Sequence, residues 1–192
     1  MLDNLLVSYR LRIETAFKEL ESGIVSDIAD AIRETSERGQ LIWIVGNGGS
    51  AATASHFATD LSRCTNSSGA PIKAISLCDN SGLITAIGND FGFDLIFLKQ
   101  LSNVAARGDL LIALSASGNS RNILVAMEWA RQNGVKTLAM TGFDGGRAKS
   151  LADVSIHVPT EIGDYGVAED AHSILCHFLS SQFRTNKQEL NF

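Results

Sequence analysis

Apolar positions in the first 38 residues recur with a helical period: Leu2, Leu6, Tyr9, Ile13, Ala16, Phe17 and Leu20, then Ile24, Val25, Ile28, Ala31 and Ile32. Ser22-Gly23 separates the two runs and Gly39 closes the second, so two helices are predicted. From Leu41 the pattern changes to short continuous apolar runs at 41–45, 72–77, 110–115, 137–141 and 154–158, which read as buried strands. Helical stretches follow them at about 50–63, 81–88 with 93–106, 120–133, 146–152 and 167–184. The two prolines, Pro71 and Pro159, fall at strand edges, where a missing N–H costs least. Strands that are apolar throughout and alternate with helices predict an α/β three-layer sandwich. A five-stranded parallel sheet is covered on both faces and preceded by two N-terminal helices. Residues 1–192 are read as one domain, with 1–39 a helical extension.

In such a sheet ligands bind beyond the carboxyl ends of the strands. Two of those ends carry polar turns. After the first strand comes Gly46-Asn47-Gly48-Gly49-Ser50, whose glycines admit positive φ and close approach of a ligand to the backbone. After the third comes Ser115-Ala116-Ser117-Gly118-Asn119-Ser120, hydroxyls around one glycine. Each leads into a helix N-terminus, where free N–H groups and the helix dipole favour an anion. The plainer reading of the second turn is an N-cap with ordinary turn formers. Together the two turns point to one phosphorylated ligand held between them. Gly46-x-Gly48-x-x-Ala51 also fits the loose dinucleotide fingerprint. The ribose-binding acid expected about 20 residues later is missing from Ser67-Ser68-Gly69-Ala70-Pro71, and Asp79 lies beyond the next strand. No nucleotide cofactor is expected.

Composition narrows the function classes. A net charge of −5 argues against a nucleic-acid or anionic-membrane partner. Cys64, Cys78 and Cys176 show no paired spacing and are read as free thiols. The first residues lack the layout of a secretion signal, and no apolar run reaches membrane length, so a cytoplasmic location is expected.

Titratable groups cluster near the first turn and in the last helix. His56 and Asp60 are four residues apart on one helix face, either a functional pair or a surface ion pair. His172 and His177 sit on an apolar helix, where packing is the alternative to chemistry, and His157 on a strand has no assigned role. Asp164-Tyr165-Gly166 reads as a turn, Trp43 and Trp129 as packing residues, and Arg63 and Arg121 as candidates for phosphate contact.

Four ordered motifs resemble the sugar isomerase (SIS) domain: Gly46-Asn47-Gly48-Gly49-Ser50, His56-Phe57-Ala58, Gly88-Asn89-Asp90-Phe91-Gly92 and Ser115-x-Ser117-Gly118-Asn119-Ser120. Within that domain family, residues 40–180 are similar to the phosphoheptose isomerases. The resemblance implies a flavodoxin-like SIS fold and a homotetramer with sites between subunits, residues 1–39 packing on neighbouring subunits. It also implies conversion of sedoheptulose 7-phosphate to D-glycero-D-manno-heptose 7-phosphate for surface polysaccharide. Carried over, Ser115, Ser117 and Ser120 hold the phosphate, while Asn47, Gly48, Gly49, Ser50, Asn89 and Asp90 line the sugar. His177 matches the catalytic histidine, and His56 a histidine that binds zinc in some members. Asp60 stands where the heptose enzymes carry a glutamate, Glu169 where they carry a glutamine, and Ala116 where they carry a threonine.

Aldose–ketose isomerisation through an enediol needs a base at carbon and an acid at oxygen. Asp60 or Glu169 is the expected base and His177 the acid. His56, Asp60, Glu169 and His177 form a nitrogen and oxygen donor set suited to zinc. Glu169 and His177 are eight residues apart, roughly 12 Å along a straight helix, so they converge only if Glu169 precedes the helix or different subunits contribute. The substitutions at 60 and 169 leave a second reading open. This is a non-catalytic SIS protein that binds a sugar phosphate or a protein partner, as relatives that bind the replication initiator do.

Overall fold

The computed structural model describes residues 2–184; Met1 and 185–192, part of the expected domain 1–192, lie outside the described residues. Two helices, α1 (Leu2–Lys18) and α2 (Ile24–Glu37), lead into β1 (Leu41–Gly46) and α3 (Gly49–Ser62). The chain continues through β2 (Lys73–Ser76), α4 (Ser81–Phe91), α5 (Leu98–Val104), β3 (Leu110–Ser115) and α6 (Arg121–Gln132). It ends with β4 (Lys136–Thr141), α7 (Gly146–Leu151), β5 (Val154–His157) and α8 (Tyr165–Ser181).

All strand pairs are parallel and the order is β2-β1-β3-β4-β5, the flavodoxin-like arrangement. Alternation along each strand divides the core. Ile42, Ile44, Leu110 and Ile112 pack with Ile28, Ile32, Phe57, Leu61 and Leu179 of α2, α3 and α8. Trp43, Val45, Leu111 and Ala113 face Ile87, Leu101, Ile123 and Met127 of α4, α5 and α6. The amino edge is pinned by buried Asp109, which accepts hydrogen bonds from Leu41 N (3.0 Å), Trp43 Nε1 (2.8 Å) and Ala106 N (2.9 Å). The opposite edge keeps its two polar turns.

Several boundaries differ from the pattern-based expectation, among them the helix expected over 93–106, of which α5 covers Leu98–Val104. Residues 165 and 166 are helical rather than a turn, because Asp164 occupies the N-cap position and a glycine is tolerated in a first turn. Asn89 and Asp90 belong to α4, which continues to Phe91 and stops at Gly92 with φ 92°. Finally, α8 ends at Ser181 instead of 184. The start of α8 matters for function, since it makes Tyr165 a helical residue one turn before Glu169.

α1 docks on α8: Tyr9 donates a hydrogen bond to Asp170 (2.6 Å) and Arg12 pairs with Asp164. Ala16 is buried and Phe17 packs on the core, while the amino-terminal leucines stay uncovered, with Leu2 81 %, Leu5 61 % and Leu6 69 % exposed.

His172 is a core residue. Neither ring nitrogen has a hydrogen-bond partner among the described residues. Burial pushes its pKa down to about 4; the Thr141 backbone, close by without completing a hydrogen bond, opposes this, and His157 reinforces it. In the unfolded chain an ordinary histidine binds its proton near pH 6.5, whereas the folded protein refuses it until about pH 4. Stability from this residue is therefore complete above the unfolded value and is lost as pH falls between the two, by about 3 kcal/mol. Expected: His172→Leu melts close to the unaltered protein at pH 7 and increasingly above it by pH 5. Melting curves at the two pH values check this; a gap that does not widen would refute it.

Candidate active site

The switch in strand order between β1 and β3 opens a crevice at the carboxyl edge, and the two polar turns flank it. Gly46 ends β1 in register with Leu114 of β3, so the turns begin side by side. The first residues of α3 fold directly over the strand end: a Cβ on Gly46 would lie 2.4 Å from the Ser50 carbonyl oxygen. Gly48, with φ 54° and ψ −124°, directs the chain into α3. Neither α3 nor α6 is capped by a side chain, which leaves first-turn N–H groups pointing at the crevice.

A cleft of about 90 Å³ lies between the turns, lined by Asn47, Ser50, Leu114, Ser115, Ala116, Ser117, Ser120, Ile123, Tyr165 and Glu169. Among the described residues no lysine or arginine lines it. Ser115 Oγ accepts from Gly118 N (3.1 Å) and Ser117 Oγ from Asn119 N (3.3 Å), so each hydroxyl keeps its hydrogen for an anion. The structure thus gathers Asn47, Ser50, Ser115, Ser117, Ser120 and Glu169 at one place, with Gly48 and Gly49 in the adjoining turn.

Two features hold the turns still. Asn47 and Asn122 form a reciprocal amide pair, 2.9 Å in both directions, tying the glycine turn to the first turn of α6. Asn122 is 1 % exposed and was missed by the sequence reading; its only signal is an amide on the apolar face of α6, beside Ile123 and Ala126. The second feature is a glycine interlock with the loop after β4. A Cβ on Gly118 would meet the Gly145 carbonyl oxygen at 2.1 Å, and one on Gly146 the Ser117 carbonyl oxygen at 2.3 Å. Ala148 N donates to Gly118 O (2.8 Å) and Gly142 N to Ala116 O (3.0 Å), so the serine turn is clasped from behind.

α3 and α8 run side by side and parallel, which follows from the order of their contacts. At the amino ends Glu169 lies on Gly49, its carboxylate occupying the space a Cβ there would need. Two turns further, His177 Nε2 and His56 Nε2 are 2.8 Å apart with their rings edge to face. Beneath them Asp60, 7 % exposed, lies 3.5 Å from His56 Nε2, 3.4 Å from Ser180 Oγ and 3.8 Å from Arg184. The ligand-capable atoms of His56, Asp60 and His177 lie within 4.8 Å of one another. Two imidazoles with a carboxylate are a donor set that fits zinc. Glu169 does not join them. It is eight residues before His177 on the same helix, roughly 12 Å away, and belongs to the cleft.

The other residues singled out from sequence lie elsewhere. Asn89 and Asp90 are exposed on α4 and hydrogen-bonded to each other, outside the cleft lining. Arg63 follows the carboxyl end of α3, the far end from the glycine turn, and Arg121 reaches toward Asp94 (3.9 Å). Neither lines the cleft. Cys64, Cys78 and Cys176 are free thiols.

The SIS domain family model matches residues 8–142. The phosphoheptose isomerase of Akkermansia muciniphila is 42 % identical over 153 residues, 79 % of this chain and 81 % of that one. That of Nitratiruptor is 38 % identical over 176 residues, 92 % of each. Among solved structures, phosphoheptose isomerase GmhA from Neisseria gonorrhoeae superposes with a TM-score of 0.84 at 28 % identity, covering 95 % of this chain and 98 % of its own. With the switch-point crevice, the paired turns and this coverage together, the chain belongs to the SIS domain family and, within it, to the phosphoheptose isomerases.

Proposed function

We propose that the protein interconverts sedoheptulose 7-phosphate and the aldoheptose 7-phosphate, D-glycero-D-manno-heptose 7-phosphate. The observation that carries this reading is the separation of an anion cradle from an acid–base cluster along the α3/α8 groove. The cradle of Ser115, Ser117, Ser120 and two helix N-termini takes the phosphate. The cluster of His56, Asp60 and His177 lies two helical turns away, a distance comparable to the phosphate-to-carbonyl length of an open-chain seven-carbon ketose. Glu169 and Asn47 then face the middle of the sugar, whose hydroxyls they can bind.

On this reading Asp60 removes the proton from C1 while His177 delivers one to the C2 oxygen, giving the 1,2-enediol. Return of a proton to C2 and loss of the O1 proton yield the aldose, so no atom or electron is gained or lost. Asp60 has one methylene fewer than glutamate, and His56 and Ser180 fix where its carboxylate sits. In a zinc-bound state His56, Asp60 and His177 would hold the metal instead of carrying protons, and it would supply polarisation of the ketose carbonyl. Glu169 remains the second candidate base and metal ligand, reached by a neighbouring subunit's cluster. The uncovered leucines of α1 support a homotetramer in which residues 1–39 pack between subunits. No described helix is long and apolar enough to cross a membrane, consistent with work in the cytoplasm.

The test is NMR of sedoheptulose 7-phosphate in deuterated water with chelator-treated protein, then with zinc restored. Deuterium entering at C1 with aldose appearing is the expected result. Tight binding of the sugar phosphate with no exchange in either arm would remove the isomerase reading and leave a binding protein.

A further inference from the structure

The cleft contains one group that neither the family motifs nor the proposed chemistry uses. Tyr165, the first residue of α8, lines it one turn before Glu169, on the same helix face. Its side chain is held. The ring packs edge to face on Phe143, centroids 5.0 Å apart at 75°, and Phe143 is buried with Ala116 and Ala168. Phe143 is also the one non-glycine residue among those described with positive φ, 46°, fixed by a hydrogen bond from its N–H to Thr160 Oγ1 (3.1 Å). A residue kept in that conformation requires surroundings that enforce it, and here they present the ring that orients Tyr165. Yet Tyr165 is 54 % exposed, and its hydroxyl has no hydrogen-bond partner among the described residues.

From this we infer that the Tyr165 hydroxyl is a phosphate-binding donor that closes the open side of the cleft. The inference rests on the sugar-phosphate reading above. Among the described residues a phosphate dianion in this cleft meets no lysine or arginine and has Glu169 nearby, so what they offer its charge is neutral donors and helix dipoles. Under those conditions each additional donor counts, because hydrogen bonds to an ionised acceptor are about twice as strong as neutral ones. A phenol is a better donor than the aliphatic hydroxyls of Ser115, Ser117 and Ser120. It also comes from α8, a different wall of the cleft from the serine turn. The short reach of the serine turn makes Tyr165 the complement to it.

The discriminating variant is Tyr165→Phe, which keeps the ring on Phe143 and removes one oxygen. Titration calorimetry with inorganic phosphate and with sedoheptulose 7-phosphate should show about tenfold weaker binding of both. In turnover, KM rises with kcat little changed, the signature of a contact made equally to ground and transition state. A purely structural role for the tyrosine would instead lower the melting temperature and leave phosphate affinity alone. Equal affinity of variant and unaltered protein overturns the inference while sugar-phosphate binding stands. Failure of the unaltered protein to bind either ligand overturns both.

Discussion

Asp60→Asn is expected to lower kcat by about 10²–10⁴-fold with little change in sugar-phosphate affinity. The amide keeps the shape that Ser180 and His56 recognise, at 3.4 and 3.5 Å, but cannot take a proton from carbon. His177→Asn should fall in the same range, and the double variant should cost little more than either single one, as groups that act as a unit behave. The decisive comparison is Glu169→Gln, which restores the residue type the resemblance places there. If Asp60 is the base, this variant keeps activity within about tenfold, having lost only contacts to sugar hydroxyls. Rates measured by NMR on all four proteins separate the cases. A collapse in Glu169→Gln with Asp60→Asn active would transfer the base to Glu169 and require a second subunit to bring the acid to it.

The second large effect concerns the clasp behind the serine turn. Gly118→Ala places a methyl against the Gly145 carbonyl oxygen, backbone against backbone, at φ 62°. Neither partner is the tip of a flexible side chain, so the turn itself must move. The strain of positive φ contributes about 1–2 kcal/mol, and the displaced backbone brings the total to roughly 3 kcal/mol. Melting should drop by about 10 °C, with sugar-phosphate affinity falling alongside. Gly69→Ala is the control: φ is 79° but nothing lies within 4 Å, so it should show the conformational cost alone and unchanged binding. Equal losses in the two variants would mean that the interlock contributes nothing.

Local signals made much of this site legible. Strand runs bounded by glycine and serine turns place both cradles at one edge, because a parallel βα repeat has only one edge at which strands end and helices begin. The His56–Asp60 spacing is legible for a similar reason, since helix geometry fixes which residues share a face. What escaped depends on long-range contact. The Asn47–Asn122 pair joins residues 75 apart in sequence, and the one local sign of Asn122, an amide on the apolar face of α6, does not reveal its partner. Tyr165 was hidden by its neighbours: Asp164 and Gly166 have turn chemistry, yet here one sits at the N-cap position and pairs with Arg12 while the other is absorbed into α8. Glu169 was expected to meet His177 only if it preceded the last helix or came from another subunit; α8 runs unbroken through both, so Glu169 lines the cleft instead.

The absence of lysine and arginine, among the described residues, from the cleft lining has a consequence for how long a ligand stays. A cationic clamp would hold substrate and product phosphate alike, and in a reversible isomerisation such uniform grip lowers KM without raising kcat. On the proposed reading the anion is held by dipoles and hydroxyls with a carboxylate at its side. Release is then expected to be fast: residence time is given up so that the isomerised sugar departs as readily as its precursor arrived.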